Sequence, residues 1–482
     1  MDIITKYKYL NIARFVIETT TPIAIGTGDK DFITDSPVLK DINGLPYIPG
    51  TSLAGVVRHA IGEEDAKLFF GYNDRSNSKN SIGSEIIFTN AIMIGENGDV
   101  LDGLQEVDFK GEFYEHFKTL PIRQHNRINH KGVVENAGKF DEQIVYKGTR
   151  FCFEIEKVSD RAKDENFEKV IAKLFSKELR IGSGTRSGFG EIEVKSYKAA
   201  YLDLTNEEHL KAYLNKSSSL IDQDFWNTNI VKEETEKYNS LSVGDDWVEY
   251  KLILKADDFF LFGSGFGNDD ADMTPVRESI IEWNGNIPRF KHNYILLPAT
   301  SVKGTISHRV AFHYNKLSGV FADKITEEKY TEHVGSNNKA VRALFGSEGE
   351  KDNSNTKDTD NKQQRGNVLF SDLIIQSDSI KKKILNHVAI DRFTGGAIDG
   401  ALFQEEVLYG GDTIFEMKML LDKASCETTT DNDSENIIKA FENALTDISI
   451  GMLPLGGGVN RGHGSFNGEL YMNGKLLNEK TQ

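Results

Sequence analysis

The chain of 482 residues is long enough for two or three domains, and its 38% hydrophobic and 10% aromatic content can fill ordinary cores. It contains no apolar run of the ~18 residues that a membrane span needs, no recognisable secretory leader, and only two cysteines, Cys152 and Cys426, which excludes a disulfide framework. We therefore expect a cytoplasmic protein without a membrane partner. The net charge of −17 means that any surface for a polyanion has to be local.

The first part of the chain has the pattern of one domain that mixes helices and strands. Alternating residues predict a strand over 11–20, and apolar residues at helical spacing predict a helix over 51–61. A second helix is predicted over 166–177, followed by a strand over 191–196. The polar segment 201–246 is predicted to be a linker with a short helix.

The remainder repeats this order. Strands are predicted over 248–255 and 465–471, and helices over 300–313 and 437–445. The order β-α-β-β-α-β predicts an α+β fold of two tandem ferredoxin-like, or RRM-like, domains with antiparallel sheets, over 1–200 and 247–482. Two polar insertions, about 349–366 and 428–434, are predicted to be disordered.

Direct self-comparison shows that the two parts are a tandem repeat. The motif Pro49-Gly-Thr-Ser-Leu-Ala-Gly55 returns as Pro298-Ala-Thr-Ser-Val-Lys-Gly304, with the prolines 249 residues apart (298 − 49). Four further landmarks recur in the same order: Leu68-Phe-Phe-Gly71 and Ala343-Leu-Phe-Gly346, Ile86-Ile-Phe-Thr-Asn-Ala-Ile92 and Val368-Leu-Phe-Ser-Asp-Leu-Ile374, Val145-Tyr-Lys-Gly-Thr-Arg-Phe151 and Leu408-Tyr-Gly-Gly-Asp-Thr-Ile-Phe415, and the glycine loops 182–190 and 456–464.

This ordered set resembles the RAMP superfamily of CRISPR-associated proteins, and more narrowly the backbone subunits of type III effector complexes. The features that carry the resemblance are Ile25-Gly-Thr-Gly28, Asp35-Ser-Pro-Val-Leu-Lys-Asp41, Pro46-Tyr-Ile-Pro-Gly-Thr-Ser-Leu-Ala-Gly55 with Arg58, and the glycine loops. The stretch 388–406 resembles a thumb hairpin. Two such domains in one chain resemble the fused backbone subunits of the type III-D group.

The resemblance implies an RNA-guided endoribonuclease. The partners would be a crRNA guide, a complementary single-stranded target RNA and other type III subunits, and cutting would occur at regular intervals with weakly bound Mg²⁺ or Mn²⁺. Thumbs are expected at about 106–145 and 384–406. They would press into the guide–target duplex and displace nucleotides beside an acidic loop.

The resemblance places the catalytic and metal-binding aspartates at Asp35 and Asp272. Spacing alone favours an Asx turn before the proline for Asp35. In the second half, alignment of Thr-Pro-Val with Ser-Pro-Val sets Met273 opposite Asp35, so Asp272 comes one residue before the aligned position. Asp270 is an alternative candidate for the catalytic aspartate of this loop. Activity of the second site is therefore the less certain of the two.

Glycines, helix starts and local cations supply the candidate contacts to RNA. Glycine lets backbone amides approach phosphates, and basic side chains add charge. Each also has a plain interpretation, as a turn, a solvated helix face or a surface loop. The candidates are Ser52, Arg58, His59, Arg123, Arg127, His130, Gly182, Gly184, Arg186, Ser301, Lys303, Arg309, Arg392, Phe393, Gly456, Gly458 and Arg461.

Two other functions are compatible with the residues. A scaffold of the same kind of complex would bind crRNA without cutting the target RNA. This alternative stays open because one aspartate in each loop is weak evidence for an active site. An enzyme acting on carbohydrate would use paired carboxylates, but no pair has a clear framework in the sequence.

Overall fold

The computed structural model describes residues 8–30, 34–74, 80–239, 244–347, 364–376, 378, 380–426 and 431–477. None of the helices within these ranges combines the length and apolar character needed to cross a lipid bilayer. Most of the insertion predicted over 349–366, and the start of the one over 428–434, lie outside the described residues.

Three of the four elements given predicted bounds in the first half lie within three residues of those bounds, and the strand predicted over 191–196 continues to Asp203. The strands and helices of the first half also include elements that the sequence pattern did not predict. In chain order the strands and helices of this half are β1 (Tyr9–Thr19), α1 (Gly50–Ala60), α2 (Glu63–Phe70), β2 (Ile86–Phe88), β3 (Ile92–Met93), α3 (Glu112–Lys118), β4 (Ile122–Ile128), β5 (Val134–Gln143), β6 (Arg150–Ser159), α4 (Glu165–Leu174) and β7 (Ile192–Asp203).

The first half has the strand order of a ferredoxin-like domain. Its sheet runs β2-β6-β1-β7 with antiparallel pairing, so that the first and third strands lie in the middle. Helices α1 and α4 cover one face, where Leu53, Val57 and Phe167 pack with the strand residues Phe15 and Phe153. Burial of one apolar face of each helix explains why the helical spacing was visible in the sequence.

The segment predicted as a linker is folded onto the first sheet. It contains α5 (Glu207–Asn215), a short 3₁₀ turn (Phe225–Asn227), β8 (Lys232–Glu233), which pairs with β7, and α6 (Thr235–Asn239). Buried Glu154 of β6 accepts hydrogen bonds from Arg14 and from Trp226 Nε1 at 2.8 Å, and its other oxygen lies 2.6 Å from Lys216 Nζ. A buried carboxylate needs such partners, and two of them come from this segment.

The second half contains more elements than the first. They are β9 (Trp247–Ala256), β10 (Phe259–Phe260), β11 (Arg277–Asn284), β12 (Ile287–Leu297), α7 (Ala299–Leu317), α8 (Lys339–Phe345), β13 (Gly346–Ser347), β14 (Gln364–Arg365), β15 (Val368–Phe370), β16 (Leu373–Ile375), β17 (Lys381–His387), β18 (Phe403–Tyr409), β19 (Phe415–Asp422), α9 (Lys423–Cys426), α10 (Asp431–Ser449), β20 (Phe466–Met472) and β21 (Lys475–Leu476).

The second sheet repeats the topology of the first. Its order is β15-β19-β9-β20, again with the first and third strands in the middle, and α7 and α10 pack over it. The α+β fold predicted from the sequence, two tandem ferredoxin-like domains, is confirmed. The predicted disorder is wrong at the edges of the insertions, because Gln364 and Arg365 pair with β13 and the buried Ser434 lies within α10.

Each half projects a two-stranded hairpin. The first hairpin is β4–β5 and the second hairpin is β17–β18, which also pairs with β10. Within the range predicted for the first thumb, 106–145, helix α3 instead packs into the core through Phe113, Tyr114 and Phe117. The projecting part is therefore shorter than the predicted range.

The hairpin β11–β12 of the second half packs against the first half. Trp283 Nε1 donates to the carbonyl of Gly148 at 2.6 Å, and the ring of Phe290 lies 4.9 Å from that of Tyr146. The Arg150 guanidinium lies 4.1 Å from the Trp283 ring centroid. These apolar and polar contacts hold the two halves side by side.

Candidate RNA interface

Two loops that carry the predicted aspartates lie against the two hairpins. The first aspartate loop is 34–38 and the second is 271–275. The main-chain N–H of Asp35 donates to Asp141 Oδ1 at 2.7 Å, and the N–H of Asp141 donates to Asp35 Oδ2 at 3.4 Å. In the second half, Asp272 Oδ2 accepts from the N–H of Gln404 at 2.8 Å. Each aspartate thus accepts a hydrogen bond from the returning strand of its hairpin.

Backbone hydrogen bonds decide which residues of the two loops correspond. The carbonyl of Ser36 accepts from the N–H of Gln143 at 3.0 Å, and the carbonyl of Met273 accepts from the N–H of Glu406 at 2.8 Å. Met273 therefore corresponds to Ser36. The residue before it, Asp272, corresponds to Asp35.

This correspondence corrects the sequence alignment, which set Met273 opposite Asp35. The alignment matched Pro37 with Pro275, but the two prolines occupy different positions of their loops. Bridges on the far side of the loops agree with the hydrogen bonds: Gly26 with Val38, and Gly263 with Pro275. The one-residue offset that set the second site apart is therefore absent from the backbone geometry.

The carboxylate of Asp35 is half-exposed and ionised. Lys30 Nζ lies 3.0 Å from Asp35 Oδ1, and this hydrogen bond, with the one from the Asp141 backbone, holds the pKa of Asp35 below its usual range. An exposed carboxylate of low pKa stays charged at neutral pH. It can orient a hydroxyl or bind a cation.

The carboxylates offer only a partial set of ligands for a divalent metal. Asp141 stands beside Asp35, whereas the second loop has Gln404 at the matching position. The described residues contain no group of three or more side chains able to ligate a metal ion. Mg²⁺ binds oxygen and keeps several waters, so one or two carboxylate oxygens fit it only as part of a shell completed by water and phosphate.

A histidine stacks on a phenylalanine at the same position of both hairpins. The rings of His125 and Phe140 lie 4.9 Å apart, and those of His387 and Phe403 lie 4.8 Å apart. Burial, and then the charge of Arg123, lower the pKa of His125 to about 4, so it is neutral at pH 7. These pairs were not predicted from the sequence, although each predicted thumb contains both a His and a Phe.

Four basic side chains from both halves meet in what we call the cationic seam: His59 of α1, Arg186 of the first glycine loop, Lys303 of α7 and Arg365 of β14. Arg365 Nη1 lies 2.7 Å from His59 Nε2, and Arg186 Nε donates to the carbonyl of Gly366 at 3.0 Å. Among the residues that the structure describes, no carboxylate forms an ion pair with any of the four, although the charge of Asp422 acts on Arg186 and Arg365 and raises their pKa values against the effect of burial. Three of them were predicted, whereas Arg365 lay in the supposedly disordered insertion.

Burial lowers the pKa of every member of the cationic seam, and the charge of a neighbouring cation lowers it further for His59, Arg186 and Lys303. Burial is the larger cause throughout; with the charge of Arg186 it lowers the pKa of Lys303 to about 8, and with the charge of Arg365 it lowers that of Arg186 to about 9. Cations gathered without a paired carboxylate destabilise one another, and an anion placed among them relieves the repulsion that Asp422 offsets only in part. The seam is therefore suited to a phosphate.

The predicted glycines are required by packing within each half. A Cβ on Gly182 would lie 2.4 Å from the carbonyl of Ala24, and one on Gly456 would lie 2.5 Å from that of Leu261. The amides that follow them donate to those same carbonyls. Gly184 and Gly458 likewise have positive φ and sit against Phe189 and His463. Close approach of protein backbone accounts for these glycines without a phosphate.

Three predicted RNA-binding arginines are neutralised by carboxylates. Arg123 is buried and pairs with Glu278 and Asp372, Arg309 pairs with Asp447, and Arg461 pairs with buried Glu405. The prediction that Arg123 faces a duplex is therefore wrong, because its guanidinium lies inside the protein. The acidic partners are far away in the sequence and could not be foreseen.

The other predicted residues are exposed, apart from Ser52, which is half-buried. Arg127 and His130 lie towards the tip of the first hairpin, and Arg392 and Phe393 lie beyond β17, with Phe393 97% exposed. Ser52, Arg58 and Ser301 lie on the helices α1 and α7. The first amides of those helices are already taken, since Gly50 donates to Asn90 and Ala299 donates to Asp372. This weakens the expectation that helix N-termini hold a phosphate.

Comparison with known proteins agrees with this geometry. The family model described as the RAMP superfamily matches residues 16–193 and 231–467, which covers most of both halves. The chain is also 27% identical over 212 residues to the "CRISPR system Cms endoribonuclease Csm3" of Methanocaldococcus jannaschii, a match covering 38% of this chain and 77% of that protein. With two matched regions, two ferredoxin-like halves and one aspartate loop in each, the chain belongs to the RAMP superfamily as a tandem of two such domains.

Proposed function

We propose that the chain is a backbone subunit of a type III CRISPR effector complex, of the fused III-D kind, that binds crRNA and cleaves complementary target RNA. The observation that carries the proposal is the duplicated geometry of Asp35 and Asp272, each held against the base of a projecting hairpin. A repeated acidic loop beside a repeated hairpin suits two cuts in one bound strand. The relative that bears an endoribonuclease name supports the same activity.

The cationic seam would grip the backbone of the guide. Its members come from both halves, so a strand held there would pass from one half to the other. The guide would read the target by base pairing while the protein contacts phosphates and shape. This reconciles a net charge of −17 with an RNA partner, because the attraction is confined to one place.

The loop aspartates would act on the target strand. A hairpin that displaces a nucleotide pair leaves the adjoining backbone bent, and the ionised carboxylate of Asp35 or Asp272 can then orient the ribose 2′-hydroxyl, or accept its proton, for in-line attack on the adjoining phosphorus. The new bond from the 2′-oxygen to phosphorus replaces the P–O5′ bond, so one product ends in a 2′,3′-cyclic phosphate and the other in a 5′-hydroxyl, whose oxygen takes a proton from water. A divalent cation at the carboxylate, when bound, would neutralise charge on the phosphate. In the first loop, the carboxylate of Asp141 lies beside Asp35 and would supply a second oxygen ligand for that cation.

The test is cleavage of RNA by the full chain with a guide RNA. The complex, in Mg²⁺, is given an end-labelled complementary target or a scrambled target of equal length. We expect two products at a fixed spacing from the complementary target, none from the scrambled one, and none when EDTA replaces Mg²⁺. An uncut complementary target that remains bound would contradict the nuclease.

A catalytically inert scaffold is the second candidate. The observation that favours it is the lack of a three-ligand metal cluster among the described residues. It predicts guide and target binding without products. Membership of the RAMP superfamily leaves no support for the carbohydrate enzyme.

Guide affinity is expected to depend on pH through Lys303. The pKa of this lysine is lowered to about 8 in the free protein, and a bound phosphate would raise it again. Below pH 8 the lysine is charged in both states and contributes no pH dependence. Above pH 8 binding takes up a proton, so Kd should rise with pH, by at most about tenfold per pH unit from this group.

Titration of guide RNA between pH 7 and 9.5 checks this dependence. The control is Lys303→Arg, because an arginine at this position keeps its charge to higher pH. The substituted protein should show a flatter profile above pH 8. Equal slopes for both proteins would contradict the assignment of the titrating group to Lys303.

A further inference from the structure

The first hairpin is anchored by a residue whose ion-pair partners all belong to the second half. Arg123 is the buried residue of β4, and its neighbours along that strand are partly or fully exposed. Its Nη2 donates to Glu278 Oε2 at 2.8 Å, its Nε donates to the other oxygen of Glu278, and its Nη1 donates to Asp372. Both carboxylates pull the pKa of Arg123 above its ordinary value. Because the guanidinium of Arg123 donates to both Glu278 and Asp372, it fixes β4 to the second half at two points.

The second hairpin is anchored within its own half instead. Leu385 occupies the position of Arg123, since Leu385 pairs with Glu405 as Arg123 pairs with Glu142. Glu405 is fully buried and is bound by His387, His463 and Arg461. Both hairpins then continue into buried strand residues of their own halves. The difference between them lies in the ion pairs at the base.

A second difference between the halves supports the same interpretation. Asn90 accepts from the first amide of α1, and its counterpart Asp372 accepts from the first amide of α7 at 2.8 Å. An amide oxygen is sufficient for that contact, as Asn90 shows. The carboxylate at position 372 adds the charge that receives Arg123, so this charge serves the contact between the halves.

We propose that Arg123 is a positioning residue for the first cleavage site, through which the second half holds the first aspartate loop in place. The proposal rests on the proposed function. It makes the first cut depend on a contact between the halves, whereas the second aspartate loop is held by its own half.

The path from Arg123 to Asp35 is short. Arg123 pairs across the hairpin with Glu142, and the next pair along is Gln124 with Asp141. Asp141 exchanges hydrogen bonds with Asp35, and Gln143 Oε1 accepts from the Val38 amide at 2.9 Å. A two-stranded hairpin is marginally stable alone, so its anchor decides where the attached loop lies.

The experiment compares the two cuts in one reaction. Arg123→Leu copies the residue of the second half, but it leaves two buried carboxylates unpaired and can impair folding. The triple variant Arg123→Leu, Glu278→Gln and Asp372→Asn removes the ion pairs, and it also neutralises the two carboxylates that Arg123→Leu alone would leave without a partner. Lys139→Leu, at an exposed position of β5, is the matched control for loss of one cation from the same hairpin.

Single-turnover rates at saturating target give the decisive readout. In the triple variant we expect the first cut to slow at least tenfold, with target affinity and the rate of the second cut unchanged. Arg123→Lys, which keeps a cation without the two-point fork, should recover part of the rate. Equal slowing of both cuts, or no slowing of either, would overturn the proposal.

Hydrogen exchange of the free chain separates this proposal from the proposed function. In the triple variant the amides of Asp35, Asp141 and Gln143 should exchange at least tenfold faster, while those of Gln404 and Glu406 remain unchanged. This readout does not require cleavage. Unchanged exchange in the first hairpin would overturn the inference even if both cuts occur, whereas a wild-type chain that never cuts would overturn the proposed function alone.

Discussion

Asp35→Asn should abolish the first cut and leave the second, and Asp272→Asn should do the reverse. Each substitution keeps the size of the side chain and an oxygen able to accept from the hairpin amide, but it removes the negative charge that orients or deprotonates the hydroxyl. Loss of a general base typically costs 10²- to 10⁴-fold, so we expect each affected rate to fall by about 10³-fold. Product lengths from one end-labelled target report both rates in the same reaction.

The double variant and a neighbouring aspartate complete this prediction. Asp35→Asn with Asp272→Asn should bind target without cutting it. Asp270→Asn, two residues before Asp272 in the same part of the chain, should cut at both sites, because the hairpin contact belongs to Asp272. Persistent cutting at both sites in the double variant would reject the mechanism, and loss of the second cut in Asp270→Asn would move that site to Asp270.

Reversing charge in the cationic seam should remove guide binding. The change is Arg186→Glu with Arg365→Glu, which places two anions beside Lys303 and His59 where two cations now repel one another. Removing two cations that would bind phosphates, and adding two charges that repel them, should raise Kd at least about 10²-fold. The slope of log Kd against log salt should also become shallower, by about 0.7 for each phosphate that the protein no longer neutralises.

A variant of equal net charge separates local from general electrostatics. Lys67→Glu with Lys211→Glu makes the same change at two exposed lysines that are paired along their own helices with Glu63 and Glu207. It should leave Kd within about threefold of wild type, since both lysines are exposed, already paired with a glutamate and outside the seam. Equal loss of affinity in both double variants would show that the seam is not the binding site.

The aspartate loops show how far sequence comparison reaches. Matching Ser-Pro-Val to Thr-Pro-Val was reasonable, because proline restricts the backbone and usually marks an equivalent turn. The structure matches the loops one residue differently, so Asp272 and Asp35 coincide and Pro275 lies opposite Val38. Hydrogen bonds to a strand more than a hundred residues away set this register, and no local pattern records them.

The basic residues show a different limit. Arg123, Arg186 and Lys303 looked alike in the sequence as cations near recognisable motifs. Folding buries Arg123 between two carboxylates, and it brings Arg186 and Lys303 together with Arg365. Whether a basic side chain can bind RNA therefore depends on whether the folded structure places a carboxylate in an ion pair with it.

The amino-acid sequence by itself determined the duplication, the order of the four main strands and two covering helices in each half, and the position of an acidic loop before each first helix. These features are local or periodic, because side-chain spacing follows the repeat of the backbone and a duplicated gene repeats its landmarks in order. Only the tertiary structure decided the equivalence of Asp35 and Asp272, the burial of Arg123 and the assembly of the cationic seam. Each of these depends on contacts between segments far apart in the chain, where burial and neighbouring charge fix what a side chain can do.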